Sequence, residues 1–261
     1  MNLNLKDKVF IVSGGSKGIG EGISKVLAGE GAKLTIATRS EGSVTEEFAE
    51  KLITEGTEVL LVYGDLQDDS LCKQAIERTV KRFGRIDGIV NNAGVNDGAG
   101  LTAGPKAFRK SIELNLFHYY NLVHYALPYL KESKGAVVNV SSKVALTGQG
   151  GTSGYAAAKG AQLALTREWA AELLPFSVRV NAVLPAEVMT PLYRKWLDTK
   201  FPDPSKKERE ISSKIPLEHR MTTSEEMANM VAFLLSDKSS HTTGQFMSID
   251  GGYTHLDRSL T

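Results

Sequence analysis

The feature that most constrains this chain is the alternation of short apolar runs with longer helical patterns. Seven segments read as strands: KVFIVS (8–13), KLTIAT (33–38), EVLLVY (58–63), IDGIV (86–90), GAVVNVS (135–141), VRVNAVL (178–184) and GQFMSID (244–250). Most are continuously apolar, the pattern of strands covered on both faces. Helical patterns begin between them near Ile19, Ser43, Asp68, Pro105, Ser153 and Thr223. The expected fold class is therefore α/β: a Rossmann-like, doubly wound parallel sheet of about seven strands with helices on both faces.

No linker, repeat or change of composition divides the 261 residues, so a single domain spanning 1–261 is expected. The irregular stretch is 186–221, which opens AEVMTPLYRKW and carries Pro191, Pro202, Pro204 and Pro216. A segment that long between a strand and the next helix is either a decorated surface excursion or a substrate lid. With 31 basic against 30 acidic side chains, no cationic excess is available to neutralise phosphates, which argues against a general nucleic-acid partner. The lone Cys72 excludes an intrachain disulfide framework and a cysteine-rich zinc site, and a cytoplasmic protein without a metal is the natural reading. The start, MNLNLKDKVFIVSGG, does not read as a secretory signal. No apolar stretch approaches the roughly 20 residues that span a bilayer, so no membrane partner is expected.

The first strand runs directly into SGGSKGIG (13–20). Gly14, Gly18 and Gly20 suit a turn that needs a permissive backbone and the close approach of a ligand. A helix opening at Ile19, just past Ser16 and Lys17, would aim its free N–H groups and positive dipole end at a pyrophosphate. The alternative is a tight turn without a ligand. Strand 2 ends in Thr38 and Arg39, with no carboxylate there to accept from an adenosine ribose. Arg39 and Lys17 suit the extra 2′-phosphate of NADP, with NAD as the second possibility; otherwise both are solvated surface cations.

Further polar positions fall at strand ends, where ligands of open α/β sheets bind. GDLQD follows strand 3 and brings Asp65, with Leu66, within reach of an adenine amino group, unless Asp65 merely caps its own loop. Strand 4 ends in NNAG, contributing Asn91, Ala93 and Gly94. Strand 5 ends in NVSSK, and Ser142 stands thirteen residues before Tyr155. Tyr155 and Lys159 are four apart and share one helical face, as a ring under an aliphatic stem or as a phenol beside an ammonium. Asn115 interrupts the helical run FRKSIELNLFHYYNLVHYAL.

The glycine loop, Asn-Asn-Ala-Gly and Ser…Tyr-x-x-x-Lys resemble, in order and spacing, the short-chain dehydrogenase/reductase family over essentially the whole chain. That resemblance implies an NAD(P)-dependent oxidoreductase with Asn115, Ser142, Tyr155 and Lys159 as its catalytic tetrad. It implies that Asn115 holds a water linking the lysine to solvent, and that Pro185, Val188 and Thr190 lie beside the nicotinamide. The chemistry is coherent. An ordinary phenol, with a pKa of about 10, is a poor base at neutral pH, and a neighbouring ammonium lowers that value. Two departures stand out: Ser13 replaces the usual threonine, and Pro185-Ala186 replaces the common Pro-Gly.

Around the expected substrate position the chain is polar. Asn96 and Asp97 follow the strand 4 turn, Gln149 precedes the catalytic helix, and Glu187 follows strand 6. With Ser142 and Tyr155 they suit a polyhydroxylated ligand, unless they serve only their own loops. The stretches NNAGVNDGAGL, NAVLPAEVMTPLYRKW and DGGYTHLDRSL resemble the bacterial L-fucose dehydrogenases within that family. The implied partner is a small-molecule sugar, L-fucose or a stereoisomer, oxidised at its anomeric hydroxyl to a lactone. Alternatives are a carbonyl reductase, such as a 3-oxoacyl thioester reductase, and a cofactor-binding protein without turnover. The family also implies a homotetramer built on helices around 105–132 and 153–174, with the terminal YTHLDRSLT reaching a neighbouring subunit.

Overall fold

Each continuous apolar run becomes a strand of one parallel sheet. The strands are β1 (Val9–Ser13), β2 (Lys33–Thr38), β3 (Val59–Tyr63), β4 (Gly88–Asn91), β5 (Ala136–Val140), β6 (Arg179–Pro185) and β7 (Phe246–Ile249). They lie in the order β3-β2-β1-β4-β5-β6-β7, with every neighbouring pair parallel. This computed structural model describes residues 2–39 and 42–256. The end of the predicted C-terminal arm, 257–261, lies outside the described residues.

The helices are α1 (Gly18–Gly29), α2 (Ser43–Thr54), α3 (Asp69–Phe83), α4 (Gly104–Ile112), α5 (His118–Ser133), α6 (Ser153–Leu173), α7 (Pro191–Lys200), α8 (Pro204–Ser212) and α9 (Ser224–Leu235). Consecutive strand residues point to opposite faces, and both faces are covered. Phe10, Val12, Leu34, Ile36 and Val138 pack with Ile23 and Leu27 of α1 and Met227 and Val231 of α9. Ile11, Ala37, Val62, Ile89 and Val137 pack on the other side with Cys72, Ile76, Tyr119, Leu122 and Trp169. A polar residue at alternate positions would enter one of these layers, which is why the strands read as unbroken apolar runs. Cys72 belongs to this core, and burial pushes its thiol up to about 12.

Close approach fixes two details. A Cβ on Gly22 would stand 2.7 Å from the Ser224 carbonyl oxygen, so glycine lets α1 lie against the start of α9. Between α4 and α5 the chain makes a π-helical turn, Glu113–Phe117, which sets Asn115 apart from the regular ladder. The stretch 186–221, irregular in sequence, contains α7 and α8. Each opens with proline in its first turn behind a capping side chain: Thr190 Oγ1 accepts from the Tyr193 N–H at 3.1 Å, and an Asp203 oxygen accepts from the Lys206 N–H at 2.8 Å. Among the described residues no helix is long and apolar enough to cross a membrane.

Candidate active site

Strand order reverses between β1 and β4, and a cleft of about 610 Å³ opens there at the carboxyl ends of the strands. Its floor is the loop from β1 to α1. Gly14 and Gly18 have φ of +64° and +58°, which side-chain-bearing residues rarely adopt. No side chain caps α1 at Lys17, so the first N–H groups of the helix remain available to an anion. Gly20 serves packing: a Cβ there would stand 2.2 Å from the Gly14 carbonyl oxygen. Gly14, Ser16, Lys17, Gly18, Ile19, Thr38, Arg39, Asp65, Leu66, Ala93, Gly94, Tyr155, Lys159, Pro185 and Thr190 all line the cleft.

Three expected cofactor positions lie elsewhere. Gly20 stands behind the loop. Asn91 is wholly buried and donates to Asn139 Oδ1 at 2.9 Å, because a residue inside β4 faces the sheet interior. Its neighbour Asn92 lines the cleft, donating to the carbonyls of Ser13 and Gly14 at 2.9 and 3.3 Å. The Val188 side chain packs in the core below the turn. Ser13 works through its hydroxyl, which accepts from the N–H groups of Asn92 and Ala93 at 2.9 and 3.0 Å. A serine does this as well as a threonine, and Ala186 is not among the residues with positive φ, so neither sequence departure distorts the cleft.

At the end of the cleft beside β2, Ser16 Oγ lies 3.2 Å from Thr38 Oγ1, and Thr45 donates to Ser16 at 3.3 Å. Burial pushes the Asp65 carboxyl up, but hydrogen bonds from the Gln67 backbone and side chain, with the Arg39 charge, hold it below its ordinary value. His118, which sequence reasoning missed, also lines the cleft. Its Nε2 lies 3.0 Å from the Ala93 carbonyl, which can only accept, so Nε2 carries the hydrogen and Nδ1 is an acceptor. Burial, with a smaller contribution from the Lys159 charge, lowers this imidazole to about 4.

The opposite wall joins β5 to α6. Tyr155 stands in the first turn of α6 and lines the cleft, on the side of the Ser142 hydroxyl. Burial pushes the phenol up to about 12, and the nearby Ser142 hydroxyl acts against that shift. One turn deeper, Lys159 is almost fully buried, with Nζ 5.5 Å from the Tyr155 ring centroid. Its Nζ donates to the Val140 carbonyl at 2.7 Å and to Tyr119 Oη and Gln162 Oε1 at 3.3 Å each. Burial lowers this ammonium to about 7. Asn115 Oδ1 accepts from the Val95 N–H at 2.8 Å, and Nδ2 donates to the Ser111 carbonyl at 2.9 Å. A Cβ on Gly94 would come within 2.8 Å of Asn115 Oδ1 and 3.7 Å of Lys159 Nζ, so Gly94 leaves room for both. Of the four expected tetrad residues Tyr155 and Lys159 line the cleft, while Asn115 lies buried beside Gly94 and Ser142 lies buried in the loop after β5; no acidic, cysteine or histidine cluster able to hold a metal occurs among the described residues.

The comparisons agree with this geometry. The family model described as enoyl-(acyl carrier protein) reductase matches residues 14–254. The chain belongs to the short-chain dehydrogenase/reductase family. Its members are oxidoreductases that use NAD(P)(H). Within it, the chain is 35% identical over 256 residues to the 3-oxoacyl-[acyl-carrier-protein] reductase of Thermotoga maritima, covering 96% of this chain and 99% of the relative. It is 36% identical over 257 residues to the L-fucose dehydrogenase of Bos taurus, covering 97% and 91%. The crystal structure of Cj0485 dehydrogenase superposes with a TM-score of 0.95 at 45% identity, covering 100% of this chain and 99% of that one.

Against this short-chain dehydrogenase frame the expected sugar residues separate. Asn96 Oδ1 accepts from the Gly98 N–H at 3.2 Å, and Asp97 Oδ1 accepts from the Ala99 N–H at 3.3 Å and from Ser111 Oγ at 2.8 Å. Both carboxamide and carboxylate therefore serve their own loop, and neither lines the cleft. Gln149 stands exposed in the loop before α6. Glu187 is nearly buried, pairs with Lys143, and accepts from the Tyr193 hydroxyl at 2.6 Å. Lys143 Nζ also lies 4.2 Å from the Tyr253 ring centroid. Lys143, Tyr193 and Tyr253 went unread in the sequence. The available signal was Lys143 itself, a cation directly after Ser142.

Proposed function

We propose that this protein is an NAD(P)-dependent dehydrogenase that oxidises the anomeric hydroxyl of an aldose, L-fucose or a close stereoisomer, to the lactone. The observation that carries the chemistry is the Tyr155 phenol in a glycine-floored cleft with the Lys159 amine one turn below it, 5.5 Å from the ring centroid. The cleft fits a dinucleotide: its positive-φ glycines and uncapped helix start would hold the phosphates, Ser16 and Thr38 the adenosine ribose, and Asp65 and Leu66 the base. When bound, that group supplies the hydride-accepting carbon and, in its oxidised form, a positive charge near the phenol.

In this reading Tyr155 is the general base. Its phenolate takes the proton of the C1 hydroxyl as the C1–H bonding pair departs and the C1–O double bond forms. Lys159, bonded to three oxygen acceptors, favours the phenolate while it carries its charge. Ser142 holds the substrate oxygen and steadies the charge developing there. Asn115 keeps the Lys159 side of the site in place through the Val95 and Ser111 backbone. The similarity to an L-fucose dehydrogenase supports the sugar assignment, and Glu187, held by Tyr193 and by Lys143 next to Ser142, is the polar residue that fits it. Lys17 and Arg39 support a preference for NADP, with NAD accepted.

The rest of the reading follows the same frame. The chain works as one catalytic unit in the cytoplasm, and the segment carrying α7 and α8 serves as the substrate lid. Exposed Phe117 at the end of the π-helical turn and Tyr120 at the start of α5 support assembly of a homotetramer through that face. A second reading, reduction of a 3-oxoacyl thioester by NADPH, is favoured by the equally close Thermotoga maritima relative. One screen separates the two: aldoses with NADP and NAD, against an acetoacetyl thioester with NADPH. L-fucose oxidation supports the sugar assignment. No aldose oxidation with brisk thioester reduction would sink it.

A further inference from the structure

We propose that Gln162 is a positioning residue for proton transfer, its amide fixing the Lys159 ammonium against the backbone of the π-helical turn at Asn115. Gln162 is wholly buried on α6, one turn beyond Lys159. Its Oε1 accepts from Lys159 Nζ at 3.3 Å and its Nε2 donates to the Asn115 carbonyl at 2.7 Å. The partners fix the amide orientation, because a carbonyl only accepts and an ammonium only donates. Reversing the amide would create two repulsive contacts at once. A side chain thus spans the two groups that family resemblance leads one to connect through a water.

The placement matters because of how Lys159 is held. Among the described residues no carboxylate forms an ion pair with it. Its three N–H bonds go to neutral oxygens of Val140, Tyr119 and Gln162, which together use its whole donor capacity. The Val140 carbonyl is backbone, and the Tyr119 hydroxyl is itself tied to that carbonyl at 3.0 Å. Gln162 is therefore the acceptor whose chemistry a single substitution can change most freely. The titratable groups facing Lys159 are Tyr155 on its own helix and His118 and Tyr119 on α5; β5 and the π-helical turn present uncharged Ser141, Ser142 and Asn115. The stripe Lys159, Gln162, Thr166 is polar where the buried face of a helix is ordinarily apolar, and its continuation, Thr166, accepts from Asn139 Nδ2 at 2.9 Å.

This inference rests on the reading of Tyr155 and Lys159 as the proton-transfer pair. Its test compares Gln162→Met, which keeps length but loses the acceptor, with Gln162→Glu, which makes the acceptor anionic. The readout is the pH profile of kcat/KM for L-fucose oxidation, or for acetoacetyl-thioester reduction if the screen selects it. The alkaline limb, where the ammonium is lost, is expected to move down by about one pH unit in Gln162→Met and up by about one in Gln162→Glu. A residue that only packs would lower activity in both and leave the limbs where they stand; coincident limbs overturn the proposal. Should Gln162→Met not fold, Tyr119→Phe removes another acceptor and must move the limb down, and an unmoved limb there is equally decisive. Tyr155→Phe is run alongside. If it is inactive while the limbs stay fixed, only the role of Gln162 fails; if it turns over normally, the underlying proton-pair reading fails instead.

Discussion

Glu187→Gln tests the buried Lys143–Glu187 pair with a nearly isosteric change. The substitution keeps an oxygen for the Tyr193 hydroxyl, which now bonds to Glu187 at 2.6 Å, but removes the charge paired with Lys143. The side chains of Lys143 and Glu187 are only 10% and 14% exposed, so water compensates little. Leaving one member of a buried pair unmatched costs about 3–5 kcal/mol. The Tyr253 ring, 4.2 Å from Lys143 Nζ, offsets about 1–2 kcal/mol of that through its π-face. The net loss is about 1–4 kcal/mol, and at about 2–4 °C per kcal/mol for a chain of this size the melting temperature should fall by about 2–16 °C. Differential scanning fluorimetry at fixed protein concentration measures it, and the double variant Lys143→Met/Glu187→Leu should recover most of the loss. A melting temperature within about 1 °C of the parent in Glu187→Gln would refute the reasoning, because the pair would then be solvated like any surface bridge.

Other perturbations address other parts of the account. Arg39→Ala should raise the KM for NADP about tenfold or more while leaving that for NAD within about twofold; equal effects would mean the arginine does not meet a 2′-phosphate. Gly94→Ala places a Cβ 2.8 Å from Asn115 Oδ1 and so displaces that side chain from the Val95 N–H. Its kcat/KM should drop at least about tenfold, and wild-type kinetics would show that Asn115 need not stay put. His118 is lowered from 6.5 to about 4 by burial, so between those values the unfolded chain binds a proton that the folded chain does not. Stability should therefore be full above about pH 6.5 and fall by up to about 3 kcal/mol as pH drops towards 4, and His118→Leu should flatten that slope in urea titrations. An unchanged slope would mean that the imidazole is protonated in the native state.

The sheet was legible because its strands are buried on both faces, and residues such as Ile11 and Val12 must both be apolar to serve opposite layers. The cleft was legible because its chemistry sits at strand ends, where Ser13, Thr38 and the residues after Asn91 fall in fixed places. Two helices inside 186–221 were not read, although Thr190-Pro191 and Asp203-Pro204 are cap-and-proline starts; the prolines suggested irregularity while in fact opening helices. Asn91 and Val188 were misplaced by one step of side-chain direction. A strand residue faces the interior or the ligand by register alone, and the sequence motif does not carry that register. Asp97 and Asn96 illustrate a different limit: a polar loop residue satisfies its own backbone as readily as a sugar, and only geometry separates the two. Gln162 and His118 were hidden for the opposite reason, lying inside helical patterns where neither looked out of place.

The central claim is that Tyr155 carries the proton in a hydride-transfer reaction, and Tyr155→Phe isolates it by keeping the ring and removing the hydroxyl. The decisive measurement is steady-state turnover of this variant with the substrate chosen by the screen, alongside its dinucleotide affinity by fluorescence titration. The account predicts kcat reduced by about a hundredfold or more with the dinucleotide Kd within about threefold of the parent. Undiminished turnover at unchanged affinity would contradict it.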